Sequence, residues 1–319
     1  MRLRQDILFI LLLVVSTIAL SFILHTILKD DYQTVGWSRD EHLNFYQEQL
    51  NSTNNPDIVF FGSSSLMNGV NPTVIHKEFK KNNIPLKTYN LGVNWFGLDI
   101  QYTLMKRWIE NKQPKAIVIE VPYLLRFQPH PYFDKVSGFD SILLAIKNNP
   151  HYAIDSLLSY GIRNFYQKLA NNANLPLITN KFNRKDNLGL VHVSLNHDQK
   201  QVIQQTISSE LAKGQYTFNK NSTLKQSYYD FRYHYHHVFL KEIHNYCRSK
   251  KVKLFLLATP KLRINQLPPD LKEKYEALGT LIIPPPKLLQ KSELWRDMTH
   301  LNDEGAVILS KWLSSKLKL

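Results

Sequence analysis

Asp57-Ile58-Val59-Phe60-Phe61-Gly62-Ser63-Ser64-Ser65 is an apolar run that stops at one glycine and three serines. The run has the composition of a short strand. The glycine permits a tight turn, and Pro72, a little further on, suits the first turn of a helix. A serine held on such a strand-to-helix turn is a candidate nucleophile once a base stands beside it. Its bland alternative is a helix N-cap, a role that fits Ser63 or Ser65.

Working outward, the same rhythm repeats. Lys87–Val93 reads as a second strand ending at Asn90-Leu91-Gly92, and Phe96 to Lys112 as a helix with Ile100, Leu104, Trp108 and Ile109 on one face. Ala116-Ile117-Val118-Ile119-Glu120-Val121, stopped by Pro122, suits a parallel strand buried on both faces. Leu254–Ala258 and Leu281–Ile283 give two later strands, and Asn302 to Leu317 a closing amphipathic helix. Strands alternating with helices argue an α/β fold, a doubly wound parallel sheet flanked by helices. From Leu124 to about Lys225 the rhythm breaks. That stretch reads as a mostly helical insertion (about 124–225) on the side where strands end and sites form.

The chain before the first strand is different in kind. Ile7 to Leu24 carries no charge, and with Thr26-Ile27-Leu28 it approaches the ~20 residues that cross a bilayer core. Phe22-Ile23-Leu24-His25 puts bulky residues where signal-peptide cleavage wants small ones. Residues 1–29 are therefore expected to be an uncleaved anchor, 30–55 a polar linker, and 56–319 the folded domain. Arg2 and Arg4 precede the span, while Asp30 and Asp31 follow it. The positive-inside bias sends the domain outward, to the periplasmic or outer face of the inner membrane.

With 319 residues and 43% hydrophobic content, one large core is within reach. The single Cys247 cannot form an intramolecular disulfide. A formal net charge of +14 suits anionic lipid or anionic envelope polymers. Nucleic acid is not an expected partner, because the lysines are scattered and no reader motif is present.

The chemistry turns on Asp297-Met298-Thr299-His300, directly before the last helix. His300 can take the proton of a serine hydroxyl, while Asp297 fixes its tautomer and steadies the imidazolium. Asp-x-x-His is common by chance, so its context gives it weight. The amide of Ser64 and that of Gly92, which ends the second strand, are the natural oxyanion donors. No metal or other cofactor is expected. His237 and His244 share a helix face, but metal sites usually want ligands four apart together with a carboxylate. Arg126, leaving the third strand, is a candidate ligand for an anionic substrate group.

Taken together, Phe61-Gly62-Ser63-Ser64-Ser65-Leu66, Asn90-Leu91-Gly92 and Asp297-Met298-Thr299-His300 resemble the motif blocks of the SGNH or GDSL-type hydrolase family. The resemblance covers about residues 56–123 and 250–319. It is similar in plan to the membrane-anchored branch that serves envelope-polymer acylation, which includes the teichoic acid D-alanylation protein. It implies Ser64 as nucleophile, Asp297 and His300 as acid and base, and Gly92 in the oxyanion hole. One departure stands out. The family places an oxyanion asparagine after its third strand, where this chain has Glu120-Val121-Pro122-Tyr123. Asn94 substitutes, or a residue of the insertion does, or the hole has two donors, with Tyr123 lining the vacated place. The resemblance implies a serine esterase or O-acyltransferase acting on an acylated envelope glycan or polymer, with a multi-span membrane acyltransferase as a partner. The alternative is a non-catalytic accessory protein that binds such a polymer or acyltransferase.

Overall fold

Helix α1, Glu41–Asn51, opens the continuous structure, in a computed structural model that describes residues 41–123, 129–149, 197–212, 226–262 and 267–319, with the single positions Ser16, Ala19 and Leu157. The sequence reading places α1 inside a polar linker, and the structure corrects this. Leu43, Tyr46 and Leu50 recur at helical spacing, Leu43 and Tyr46 are fully buried, and Leu50 packs against the same core. The Tyr46 hydroxyl donates to the Leu104 carbonyl at 2.9 Å, and its ring lies 5.8 Å from that of Trp108. Glutamines, glutamates and asparagines around that stripe hide it from a reading by composition.

The chain then runs through β1 (Ile58–Phe61), α2 (Ser64–Gly69), α3 (Pro72–Lys81), β2 (Thr88–Asn90), α4 (Leu98–Lys112) and β3 (Ala116–Val121). The described parts of the insertion are helical: α5 (Phe133–Val136), α6 (Phe139–Asn148) and α7 (His197–Ala212). After α8 (Gln226–Ser249) come β4 (Lys253–Ala258), α9 (Pro269–Glu276) and β5 (Thr280–Ile282). Two 3₁₀ turns, Pro286–Leu289 and Ser292–Leu294, lead to α10 (Asp303–Ser314).

All five strands are parallel, in the order β2-β1-β3-β4-β5. Because side chains alternate along a strand, each strand supplies two cores. Val59, Phe61, Ile117, Ile119, Leu254 and Leu256 point into one, packed against residues of α1, α4 and α8. Ile58, Phe60, Val118, Phe255 and Leu257 point into the other, under α2, α3 and the end of α10. The sheet is thus covered by helices on both faces. This explains why its strands read as unbroken apolar runs.

The connections position the site. From β1 the chain steps outward to β2, then returns across β1 to β3. The strand order therefore reverses between β1 and β3, where open α/β sheets form a crevice at the carboxyl ends of their strands. The serine turn follows β1 directly into that crevice. Among the described residues no helix is long and apolar enough to cross a membrane. The anchor expected over residues 1–29 lies outside the continuously described residues.

Candidate active site

Ser63 caps α2, its hydroxyl accepting the Ser65 amide at 3.2 Å. That fixes Ser64 as the first helical residue, with its side chain over the carboxyl edge of the sheet. Ser64 Oγ lies 2.8 Å from His300 Nε2, and His300 Nδ1 lies 2.8 Å from Asp297 Oδ2 and 2.9 Å from Oδ1. The sequence-expected serine, histidine and aspartate therefore stand in one hydrogen-bonded line.

A tight loop holds the two later members. The Asp297 carboxylate accepts the amides of Thr299 at 2.8 Å and His300 at 2.9 Å, while the His300 carbonyl accepts the Arg296 amide at 2.9 Å. A bridge between Trp295 and Leu301 closes the loop at its base, and the Asn302 side chain caps α10 through the Gly305 amide at 3.0 Å. Burial on its own would raise the Asp297 carboxyl. The His300 ring, the Thr299 amide and hydroxyl, and the charge of His300 outweigh it and hold that carboxyl well below the usual carboxylate range. Asp297 is thus an anion at any working pH, and it fixes the Nδ1–H tautomer that leaves Nε2 to take a proton from Ser64.

Two bonds clamp this loop to the turn that carries Ser64. Arg296 Nη1 donates to Asn68 Oδ1 at 3.2 Å, and Asn68 Nδ2 donates to the Ser64 carbonyl at 2.6 Å. Asn90, fully buried at the end of β2, donates to the carbonyls of Leu66 at 3.1 Å and Val70 at 2.8 Å. It thereby satisfies the carboxyl end of the six-residue α2.

Glu120 is a site residue the sequence reading passed over. It is 2% exposed, at the end of the apolar strand β3. Its Oε2 accepts the Ser63 amide at 2.5 Å, and its Oε1 accepts the Thr259 hydroxyl. A Cβ on Gly62 would sit 2.6 Å from Glu120 Oε2, so only glycine lets the carboxylate reach beneath the serine turn. The legible signal was a single glutamate in a run of Ala, Ile and Val. A buried polar group survives only where it is bonded, and here its partners follow β1 and β4, the strands on either side of β3.

Ser64 opens on a cleft of about 640 Å³, lined by Trp95, Phe96, Tyr123, Lys261 and Met298. Trp95 is 54% exposed and has φ 67°, a left-handed conformation rare for a bulky residue. The backbone before it is pinned by His130, whose Nε2 donates to the Asn94 carbonyl at 2.7 Å while its Nδ1 accepts the Tyr132 amide at 3.0 Å. Lys261, just past β4, donates to the Ser65 hydroxyl. Neither Trp95 nor Lys261 belongs to a motif, and only their places after β2 and β4 mark them.

The remaining expected residues divide. Asn94 and Tyr123 line the cleft. The Tyr123 hydroxyl, however, faces away toward the Ala258 carbonyl at 3.4 Å, and burial pushes that phenol up. Gly92 requires a correction. Its amide is committed to Asn90 Oδ1 at 3.0 Å, and the residue lies beneath the cleft, where a Cβ would sit 2.9 Å from that of Met67. Close helix packing, and not an oxyanion, is what glycine serves there. Arg126 lies outside the described residues. His237 Nδ1 takes the Tyr233 hydroxyl at 2.6 Å, and His244 Nδ1 meets the Leu278 carbonyl at 2.5 Å, so both rings are engaged by the protein. In comparison with known proteins, no family model matches this chain and no curated protein matches it.

Proposed function

We propose that this protein is a membrane-tethered, extracytoplasmic serine esterase or O-acyltransferase of SGNH type, acting on an ester-linked acyl group of a cell-envelope glycan or polymer. The observation that carries the reading is the line Ser64–His300–Asp297 at 2.8 Å per step, opening on a cleft at the carboxyl edge of a parallel sheet. Ser64 Oγ attacks the acyl carbonyl and its proton passes to His300 Nε2. The tetrahedral adduct then collapses and expels the alcohol, which takes the proton from His300. Water, or a sugar hydroxyl, completes the cycle through the same base.

The order of the motifs supports the SGNH assignment: serine after the first strand, Asn-Leu-Gly after the second, Asp-x-x-His before the last helix. The uncharged stretch Ile7 to Leu24, with arginines before it and aspartates after, supports a single inward anchor and an outward domain. The charge of +14 favours an anionic surface or polymer nearby. A multi-span acyltransferase is the partner that would deliver or receive the acyl group.

The test is covalent. A fluorophosphonate probe applied to the full-length protein in detergent should label wild type at Ser64 and leave Ser64→Ala unlabelled. Wild type should also hydrolyse p-nitrophenyl acetate. Folded wild type that neither labels nor turns over ester would instead mark a non-catalytic accessory protein.

A further inference from the structure

We infer that Lys261, together with the Ser65 hydroxyl to which it donates, supplies the oxyanion-stabilising charge of this cleft. The pair would stand in for the carboxamide that the resembling family carries after its third strand. The inference rests on Ser64 being the acyl-accepting nucleophile.

The argument is an accounting of donors. Attack by Ser64 on an ester moves the carbonyl π pair onto oxygen and creates a full negative charge there, which donors pre-aimed to within about 3 Å must meet. Ser64's own amide, on the first helical residue, is one such donor. The amides and hydroxyls around it are largely committed elsewhere. The Ser63 amide is held by Glu120, the Gly92 amide by Asn90, and the Thr259 hydroxyl by Glu120. The Tyr123 hydroxyl faces Ala258, and the Thr299 hydroxyl sits 3.1 Å from Asp297. Glu120 itself is committed to the Ser63 amide and the Thr259 hydroxyl.

Against that background, Lys261 is the one lysine or arginine among the described residues lining the cleft. Its ammonium carries three donors, and it is anchored on Ser65 Oγ, one residue beyond the nucleophile. A serine that accepts from lysine turns its own proton away from Nζ, which leaves that proton as a donor. Hydrogen bonds from a cation are roughly twice as strong as neutral ones, so one such pair can replace an amide side chain. In the step itself the Ser64 proton goes to His300, the new oxyanion is held by Ser64 N–H and the Lys261–Ser65 pair, and collapse returns its electrons to the carbonyl as the alkoxide leaves.

The experiment compares full-length wild type, Lys261→Met, Lys261→Arg, Ser65→Ala and Asn94→Ala in detergent, each checked for an unchanged circular dichroism spectrum, on p-nitrophenyl acetate. Lys261→Met should lower kcat by ~10²–10³. Its KM should stay within about twofold, because an interaction made only in the transition state lowers kcat and kcat/KM equally. Lys261→Arg keeps the charge and should recover at least about tenfold of that loss, and Ser65→Ala should lose about tenfold. Lys261→Met and Lys261→Arg impaired alike would overturn the inference, because the lysine would then matter for shape only. So would a Lys261→Met variant near wild-type kcat, with Asn94→Ala taking the loss. Failure of the underlying reading looks different: wild type itself would carry no fluorophosphonate at Ser64, and both proposals would fall together.

Discussion

At the scale of single residues, the site depends on how one aspartate is held. Asp297 accepts two backbone amides as well as the His300 ring, so it is fixed before any substrate arrives. Asp297→Asn keeps the loop's shape but removes the charge and the acceptor that select the Nδ1–H tautomer. It should lower kcat on aryl esters by ~10⁴ while leaving fluorophosphonate-reactive Ser64 in place but slow. The same substitution has a stability consequence with a definite sign. A carboxyl whose folded pKa is depressed contributes stability above its unfolded pKa of about 4 and loses it as pH falls through the folded value. The acid limb of thermal stability should therefore be shallower in Asp297→Asn than in wild type. A steeper limb would mean the carboxylate is not held as an anion by its neighbours. Ser64, His300 and Asp297 were legible because the proposed nucleophile, base and orienter draw on few residue types. Glu120 and Lys261 were not, since a buried carboxylate and a cleft lysine declare themselves only by what they touch.

At the scale of elements, β1, β3 and β4 fall within a residue of where their apolar runs predict, because strands buried on both faces cannot hide, and the edge strand β5 is shifted by one residue from its run. The second strand is shorter than Lys87–Val93 suggests. Asn90 stops β2 by turning its amide onto α2, a cap that no periodicity reveals. The rim segment after β2 contains Trp95 in a left-handed conformation, which costs a non-glycine residue roughly 1–2 kcal/mol. Trp95→Gly should leave the thermal midpoint unchanged or higher, while raising KM for esters large enough to reach the cleft wall. A fall in the midpoint with KM unchanged would show that the indole serves packing. Helix α8 carries a second titration. Burial, and then the charges of Lys241, Lys274 and His234, push the His237 imidazole down to about 4. The unfolded chain, with a value near 6.5, then binds the proton first. Stability from this group is complete above about pH 6.5 and drains as pH falls toward 4. His237→Gln should flatten the decline in thermal midpoint between pH 6.5 and 4.5. An unchanged slope would place that decline on other groups.

At the scale of the whole molecule, the difference between a reading by composition and the folded chain is sharpest at its amino-terminal side. Polar residues between 30 and 55 suggest a tether that could be trimmed without effect. The structure makes α1 part of the larger core, through Leu43, Phe45 and Tyr46. Removing a fully buried Leu side chain costs roughly 2–5 kcal/mol, and a large aromatic about 3–5 kcal/mol. For a domain of this size each kcal/mol corresponds to about 2–4 °C in thermal midpoint. A chain beginning at residue 30 should keep the midpoint of the full-length protein within a few degrees. One beginning at residue 56 should lose on the order of 10 °C or more, or fail to fold, because it uncovers Trp108 and the face of α4. The comparison separates two views of how the domain meets the proposed anchor. If both truncations melt together, α1 is a spacer and the site floats free of the segment before it. If only the shorter chain is crippled, then α1 is welded to the helix that follows β2. With the anchor proposed over residues 1–29, only residues 30–40 would then separate the membrane from the folded domain.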